Sequence, residues 1–286
     1  MRKRHSLLSA LVFALVAIIA ASCSSRPGAI GVSRTHAAIR VLSYNIHAGK
    51  DATQHPNLER VARVIDSLRA DVVLLQEVDR GTERSGDVDQ VAELERLTGM
   101  HGAFAKSLDY QGGDYGIAAL SRWPIDSAET VPLPTNPPAD RGSDMYEPRV
   151  AIHLLLSAPA GKLEVIGTHL GAERESTFRD QEARDLLQYI VAHTAPDSPL
   201  IIGGDFNSIP ESDIHTTFAQ HFHDSWERCG TGEGFTFPAD TTVRRIDYLY
   251  SRGLRCTTAE VVDTQASDHR PLLVDFELSS VPDAQH

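Results

Sequence analysis

Polar residues recur in this sequence at the ends of otherwise apolar runs, where strands would stop and loops begin. Asn45 follows Val41-Leu42-Ser43-Tyr44, Glu77 follows Val72-Val73-Leu74-Leu75-Gln76, and His169 closes the run that starts at Leu163. Asp205 and Asn207 come just after Leu200-Ile201-Ile202-Gly203-Gly204, while Asp247 and the pair Asp268-His269 stand near the last two apolar runs. Strand ends and their loops bring residues distant in sequence into one crevice. The residue types suit one chemistry. Glu77 offers hard oxygen ligands for Mg²⁺ or Mn²⁺, and the histidines can contact phosphate oxygens or exchange protons with them. In Ser267-Asp268-His269-Arg270-Pro271, Asp268 is a candidate to orient the His269 ring. Taken singly, each residue has a plainer explanation: Glu77 as a surface carboxylate, Gly203 to Asn207 as an ordinary turn, His169 and His269 as satisfied loop histidines.

The elements that must hold these residues alternate. Leu58, Val61, Ala62, Ile65 and Leu68 recur at helical spacing. Further helices are expected over 88–97 and 178–191. Strands are expected over 41–46, 71–76, 117–121, 149–156, 163–169, 200–203, 246–250 and 271–276, separated by turns rich in glycine or proline. The stretch 131–148 is polar, carries five prolines and reads as a long loop. Alternating helices and apolar strands predict an α/β domain. Nothing between residues 40 and 278 demands a second domain, and periodicity leaves the sheet order open. Residues 279–286 read as a tail.

The first 22 residues are different. Arg2, Lys3 and Arg4 precede an apolar run from Leu7 to Ala21, the pattern of an export signal. A helix of about fifteen residues spans roughly 22 Å, short of a hydrocarbon core of about 30 Å. Ala20-Ala21-Ser22-Cys23 is similar to a bacterial lipobox, so Cys23 is the expected lipid-bearing residue, with 23–39 as a tether. The expected location is extracytoplasmic and membrane-anchored, with cleaved secretion as the alternative. In such a compartment Cys229 and Cys256 are free to oxidise, although spacing alone does not bring two cysteines together.

Composition narrows the field. Hydrophobic residues make up 41% and charged residues 23%, as in ordinary globular domains. The formal charge of −12 repels polyanions on average, and no lysine–arginine cluster outside the leader marks a nucleic-acid footprint. The chain has no HExxH zinc motif, no G-x-S-x-G elbow and no phosphate-binding loop of the G-x-x-x-x-G-K type.

In order along the chain stand YNIH at 44–47, QE at 76–77, GGDYG at 112–116, THL at 168–170, GDFN at 204–207, RIDY at 245–248 and SDHRP at 267–271. Each word is short, but their order resembles the endonuclease/exonuclease/phosphatase superfamily across nearly all of the mature chain. The resemblance implies a four-layer α/β sandwich, two central mixed β-sheets flanked by helices. It implies a divalent ion, Mg²⁺ or Mn²⁺, held or oriented by Asn45 and Glu77, with Asp205 and Asp247 in the same acidic shell. By the same resemblance His169 contacts phosphate, and Asp205 and Asn207 position or activate the attacking water. His269 stabilises the transferring group while Asp268 fixes its ring. Tyr115 and Arg149 are further candidates for phosphate contact, and His47 for the pocket edge. The implied activity is hydrolysis of a phosphate ester or diester by in-line attack of water.

The family leaves the substrate open. The tryptophan-rich approach to RIDY seen in DNA-repair members is absent, for Phe235-Thr236-Phe237-Pro238 stands before Arg245. Together with export and acidity, this favours a phosphate-containing lipid or small molecule. An exported nuclease is the alternative, and a phosphate-binding protein without catalysis is the reading from another class.

Overall fold

The computed structural model describes residues 38–134, 147–159, 161–173 and 177–278. The expected leader, Cys23, all but the last two residues of the tether, most of the 131–148 loop and the tail lie outside these residues.

The first parallel unit runs from β1 (Ala38–Asn45) through α1 (Leu58–Leu68) to β2 (Val72–Arg80). After α2 (Gln90–Thr98) the chain adds β3 (His101–Tyr110), β4 (Gly113–Ser121), β5 (Ile125–Leu133) and β6 (Arg149–Ala158). A second parallel unit follows, β7 (Gly161–His169), α3 (Thr177–His193) and β8 (Leu200–Asp205). The rest comprises α4 (Asp213–Ala219), β9 (His223–Asp224), α5 (Ser225–Cys229), β10 (Asp247–Arg252), β11 (Leu254–Val261) and β12 (Leu272–Leu278). The strands form two six-stranded mixed sheets, ordered β11-β12-β1-β2-β4-β3 and β5-β6-β7-β8-β10-β9. With helices on the outer faces, this is the four-layer α/β sandwich.

Strand alternation explains the layering. Val41, Val72 and Leu74 point between the sheets and meet Ile152, Val165, Ile201 and Leu249 of the second sheet. Their neighbours Leu42, Val73 and Leu75 point the other way, onto Val61 and Ile65 of α1 and Leu94 of α2. On the second sheet Ile166, Ile202 and Tyr248 do the same against Leu186 and Ile190 of α3 and Phe218 of α4. The central strands are apolar on both faces because both faces are covered.

Some expectations shift. β1 begins at Ala38, so the last residues of the expected tether belong to the sheet. β5 takes the first three residues of the expected 131–148 loop. β3, β5 and β11 lie at or next to sheet edges and went unread because polar residues interrupt them. Cys229 and Cys256 form a disulfide across 27 positions, with Cα atoms 6.2 Å apart. It ties α5, beside the β9 edge of one sheet, to β11, the edge strand of the other.

Candidate active site

Register builds the floor of the site. Asp205 ends β8 with His169 of β7 paired to it on one side and Asp247 of β10 on the other. The two glycines before Asp205 allow this close packing. A Cβ on Gly204, whose φ is 144°, would overlap the Thr168 carbonyl oxygen. From the first sheet, Asn45 ends β1 and crosslinks two acids. Its amide donates to Glu77 Oε1 at 3.0 Å and to Asp205 Oδ2 at 3.2 Å.

Glu77 does not end its strand. β2 continues to Arg80, because the register slips between Leu75 and Val78 and sets Gln76 and Glu77 in a bulge. The bulge puts Glu77 at φ 56° and re-aims its side chain, as bulges beside functional sites do. Asn207 and His47 also take left-handed conformations, at φ 48° and 50°.

Two histidines converge on one carboxylate oxygen. His169 Nε2 lies 3.7 Å and His269 Nε2 3.6 Å from Asp205 Oδ2. Behind His269, Asp247 Oδ2 is 2.9 Å from Nδ1. Burial alone would depress this imidazole, but the charge and hydrogen bond of Asp247, with Asp205 adding to them, raise it to about 10. Behind His169 stands Arg149, its Nη1 3.2 Å from Nδ1. Burial, then the positive charges of Arg149 and His269, push His169 well below its ordinary value. An arginine only donates, so Nδ1 of His169 accepts from Arg149. Nε2 lies 3.1 Å from the side-chain amide nitrogen of Asn207, so both ring nitrogens face donor groups.

This geometry corrects the expected partner of His269. Asp268, its neighbour in sequence, accepts from Ser267 Oγ at 3.2 Å and lies 3.7 Å from His47 Nδ1 at the pocket edge. Asp247 orients the ring instead, and Ser267 ties the turn to β1 by donating to the Asn45 carbonyl at 2.8 Å.

Tyr115 pairs with Asp79 across β4 and β2, under the Arg84 guanidinium at 5.1 Å. Burial, reinforced by the charges of Glu77 and Glu147, keeps its phenol protonated. Arg149 reaches Glu147 at 3.0 Å, and its Nε is buried without a partner. The structure thus places Asn45, Glu77, His169, Asp205, Asn207, Asp247 and His269 around one centre. Tyr115, Arg149, His47 and Asp268 stand around them.

The donor set fits a hard divalent cation. Asp205, Asp247 and His269 each present an atom within 4.8 Å of the others. Asp247 Oδ1 is buried with no hydrogen-bond partner. Burial, and then the Asp247 charge, raise the Asp205 carboxyl far above its ordinary range, as expected where acids crowd a site that suits a cation. Glu77, Asp205 and Asp247 offer the carboxylate oxygens that would hold such an ion, and the Asn45 amide bridges Glu77 and Asp205.

Sequence reading missed several supporting residues. Phe237 packs on His269 with ring centroids 4.7 Å apart. Buried His215 of α4 holds Ser208 Oγ at 2.8 Å, bracing the turn after Asn207. Buried Arg245 pairs with Asp224 at 2.8 Å just before Asp247. Arg245 lay within a quoted motif; His215 had no spacing to announce it.

Residues 42–269 match the model of the Endonuclease/Exonuclease/phosphatase family. The uncharacterised protein YbhP of Escherichia coli K12 is 27% identical over 258 residues, covering 84% of this chain and 96% of that protein. Among solved structures, an endonuclease/exonuclease/phosphatase from Beutenbergia cavernae superposes with a TM-score of 0.74 at 23% identity, over 87% of this chain and 73% of that one. The mannosyl-6-phosphatase Bt3783 of Bacteroides thetaiotaomicron gives a TM-score of 0.68 at 17% identity, over 83% and 99% respectively. Fold, motif order and the match over most of the chain agree, and this chain belongs to the endonuclease/exonuclease/phosphatase family of hydrolases.

Proposed function

We propose that this protein is a metal-dependent phosphoesterase that cleaves a phosphate ester or diester by in-line attack of water, without a covalent intermediate. The observation that carries the reading is the convergence of a neutral and a cationic imidazole on Asp205 Oδ2, at 3.7 and 3.6 Å. A carboxylate whose pKa is raised accepts a proton from water. His269, held protonated by Asp247, donates to the phosphoryl oxygens as charge develops. His169 and Asn207 fix the opposite side, and Arg149 adds positive charge behind them. A divalent ion, Mg²⁺ or Mn²⁺, bound by Glu77 and Asp205 would polarise phosphate and activate water.

The proposed setting is outside the bacterial cytoplasm, on a membrane through lipidated Cys23. The leader supports it, as does the Cys229–Cys256 disulfide, a bond typical of oxidising compartments. A phosphorylated lipid or small molecule is the favoured substrate because the chain is acidic and lacks a basic footprint. An exported nuclease is the second reading, supported by the family match.

Plasmid nicking by the purified protein with Mg²⁺, beside hydrolysis of bis(p-nitrophenyl) phosphate, separates the two. Asp205→Ala is expected to lower turnover by about 10³-fold while leaving the fold intact. Near-normal turnover in that variant would sink the assignment.

A further inference from the structure

Arg244 is exposed, and among the described residues no carboxylate lies within ion-pair distance of it. Other arginines near the site are committed: Arg84 to Asp79, Arg149 to Glu147, Arg245 to Asp224 and Arg270 to Asp263. Arg244 instead lays its guanidinium over the Phe237 ring, 4.8 Å from the centroid. The same ring packs on His269 at 4.7 Å. The cation is therefore no farther from the reacting imidazole than those two separations together.

The arrangement is fixed by backbone. Phe237 and Arg244 form a β-bridge, each N–H donating to the other's carbonyl at 3.0 Å. Thr236 N–H donates to the Arg244 carbonyl at 2.8 Å. The hairpin is in turn pinned to the His269 turn: Ala239 N–H donates to the Asp268 carbonyl and Arg270 N–H to the Thr236 carbonyl, both at 2.7 Å. Arg244, Phe237 and His269 thus belong to one hydrogen-bonded body. Ion pairs hold the other nearby arginines; here an aromatic face supports an exposed cation on the same hydrogen-bonded body as His269.

We propose that Arg244 and Phe237 form a second anion subsite, which takes a further phosphate group on the substrate next to the one that reacts. This rests on the phosphoesterase reading. The guanidinium fork matches two phosphate oxygens at once, and Phe237 supplies an apolar wall for the carbon skeleton between the two phosphates. The substrate class is accordingly a doubly phosphorylated molecule, with its second phosphate supplied by a nucleotide or by a glycerophosphate headgroup.

The test compares the p-nitrophenyl ester of thymidine 5′-phosphate with the same ester carrying a 3′-phosphate, at fixed free Mg²⁺. The reacting bond is identical, so the ratio of the two kcat/KM values within one protein isolates the second phosphate. The native protein is expected to favour the bisphosphorylated ester by about tenfold, through KM. Arg244→Gln is expected to bring the ratio close to one, and Arg244→Lys to restore part of it. The same comparison with glycerophosphoglycerol and its terminally phosphorylated derivative identifies the source of the second phosphate. An equal ratio in native protein and Arg244→Gln, for both pairs, overturns the proposal. Equilibrium binding of the thymidine pair in EDTA covers a native protein that hydrolyses neither ester. An Arg244-dependent preference there keeps the subsite and removes the hydrolase reading; no preference removes the subsite.

Discussion

The two histidine corners of the site begin alike and end opposite. His169 and His269 are each 4% exposed, and each points Nε2 at the same oxygen of Asp205. What differs is the group behind Nδ1, a guanidinium in one case and a carboxylate in the other. Burial, with Arg149 adding to it, keeps His169 neutral; Asp247 holds His269 protonated. Burial penalises charge in both, and Arg149 reinforces that penalty where Asp247 overcomes it. One crevice thereby carries a neutral and a cationic imidazole at the same pH, which is what a reaction needing both a positioned polar contact and an electrostatic donor requires.

The largest effect should come from removing the carboxylate behind His269. Asp247→Asn keeps the shape and deletes the charge, and kcat is expected to fall about 10²- to 10⁴-fold with the circular dichroism spectrum unchanged. A loss under tenfold would count against Asp247 as the orienting group. At the other corner, Arg149→Met should lower kcat by about 10- to 100-fold. It should also move the His169 pKa upward, though burial still holds it under its ordinary value of 6.5, as imidazole NMR shifts would register. An unmoved His169 would mean that burial alone keeps it neutral.

Asp268→Asn sharpens the comparison by its smallness. Its charge reaches His269 only through space, so turnover should drop less than about tenfold. A drop matching that of Asp247→Asn would return the orienting role to Asp268. The smallest effect concerns stability. His215 is a buried histidine lowered to about 4, mainly by burial. Its unfolded form takes a proton first as pH falls, so its contribution is complete above the ordinary histidine value of 6.5 and is lost towards pH 4. Urea unfolding of the native protein and His215→Gln between pH 7 and 4.5 should show their difference shrinking with acid.

The layered fold was legible because β1, β2, β7 and β8 are apolar on both faces, while α1 repeats its apolar residues at helical spacing. Edge strands β3 and β11 were not, since solvent on one side lets Lys106, Asp109, Arg255 and Glu260 interrupt the pattern. Members of the site were legible as polar residues closing apolar runs. Their pairings were not. Asp268 adjoins His269 in sequence, yet a residue 22 positions away holds the ring, because strand register rather than proximity along the chain sets the contact. The Glu77 bulge has no composition of its own, and the Cys229–Cys256 pairing follows from two sheet edges meeting.

His47, Glu77 and Asn207 share left-handed backbone geometry, with φ of 50°, 56° and 48°. For residues other than glycine such conformations cost on the order of 1–3 kcal/mol each. Glycine at any of the three would relax the chain and raise the melting temperature while erasing a side chain of the site. Heat tolerance and turnover therefore pull in opposite directions at these positions. A laboratory selection for thermal survival alone would be expected to find glycine there early, and to return a sturdier protein that no longer works.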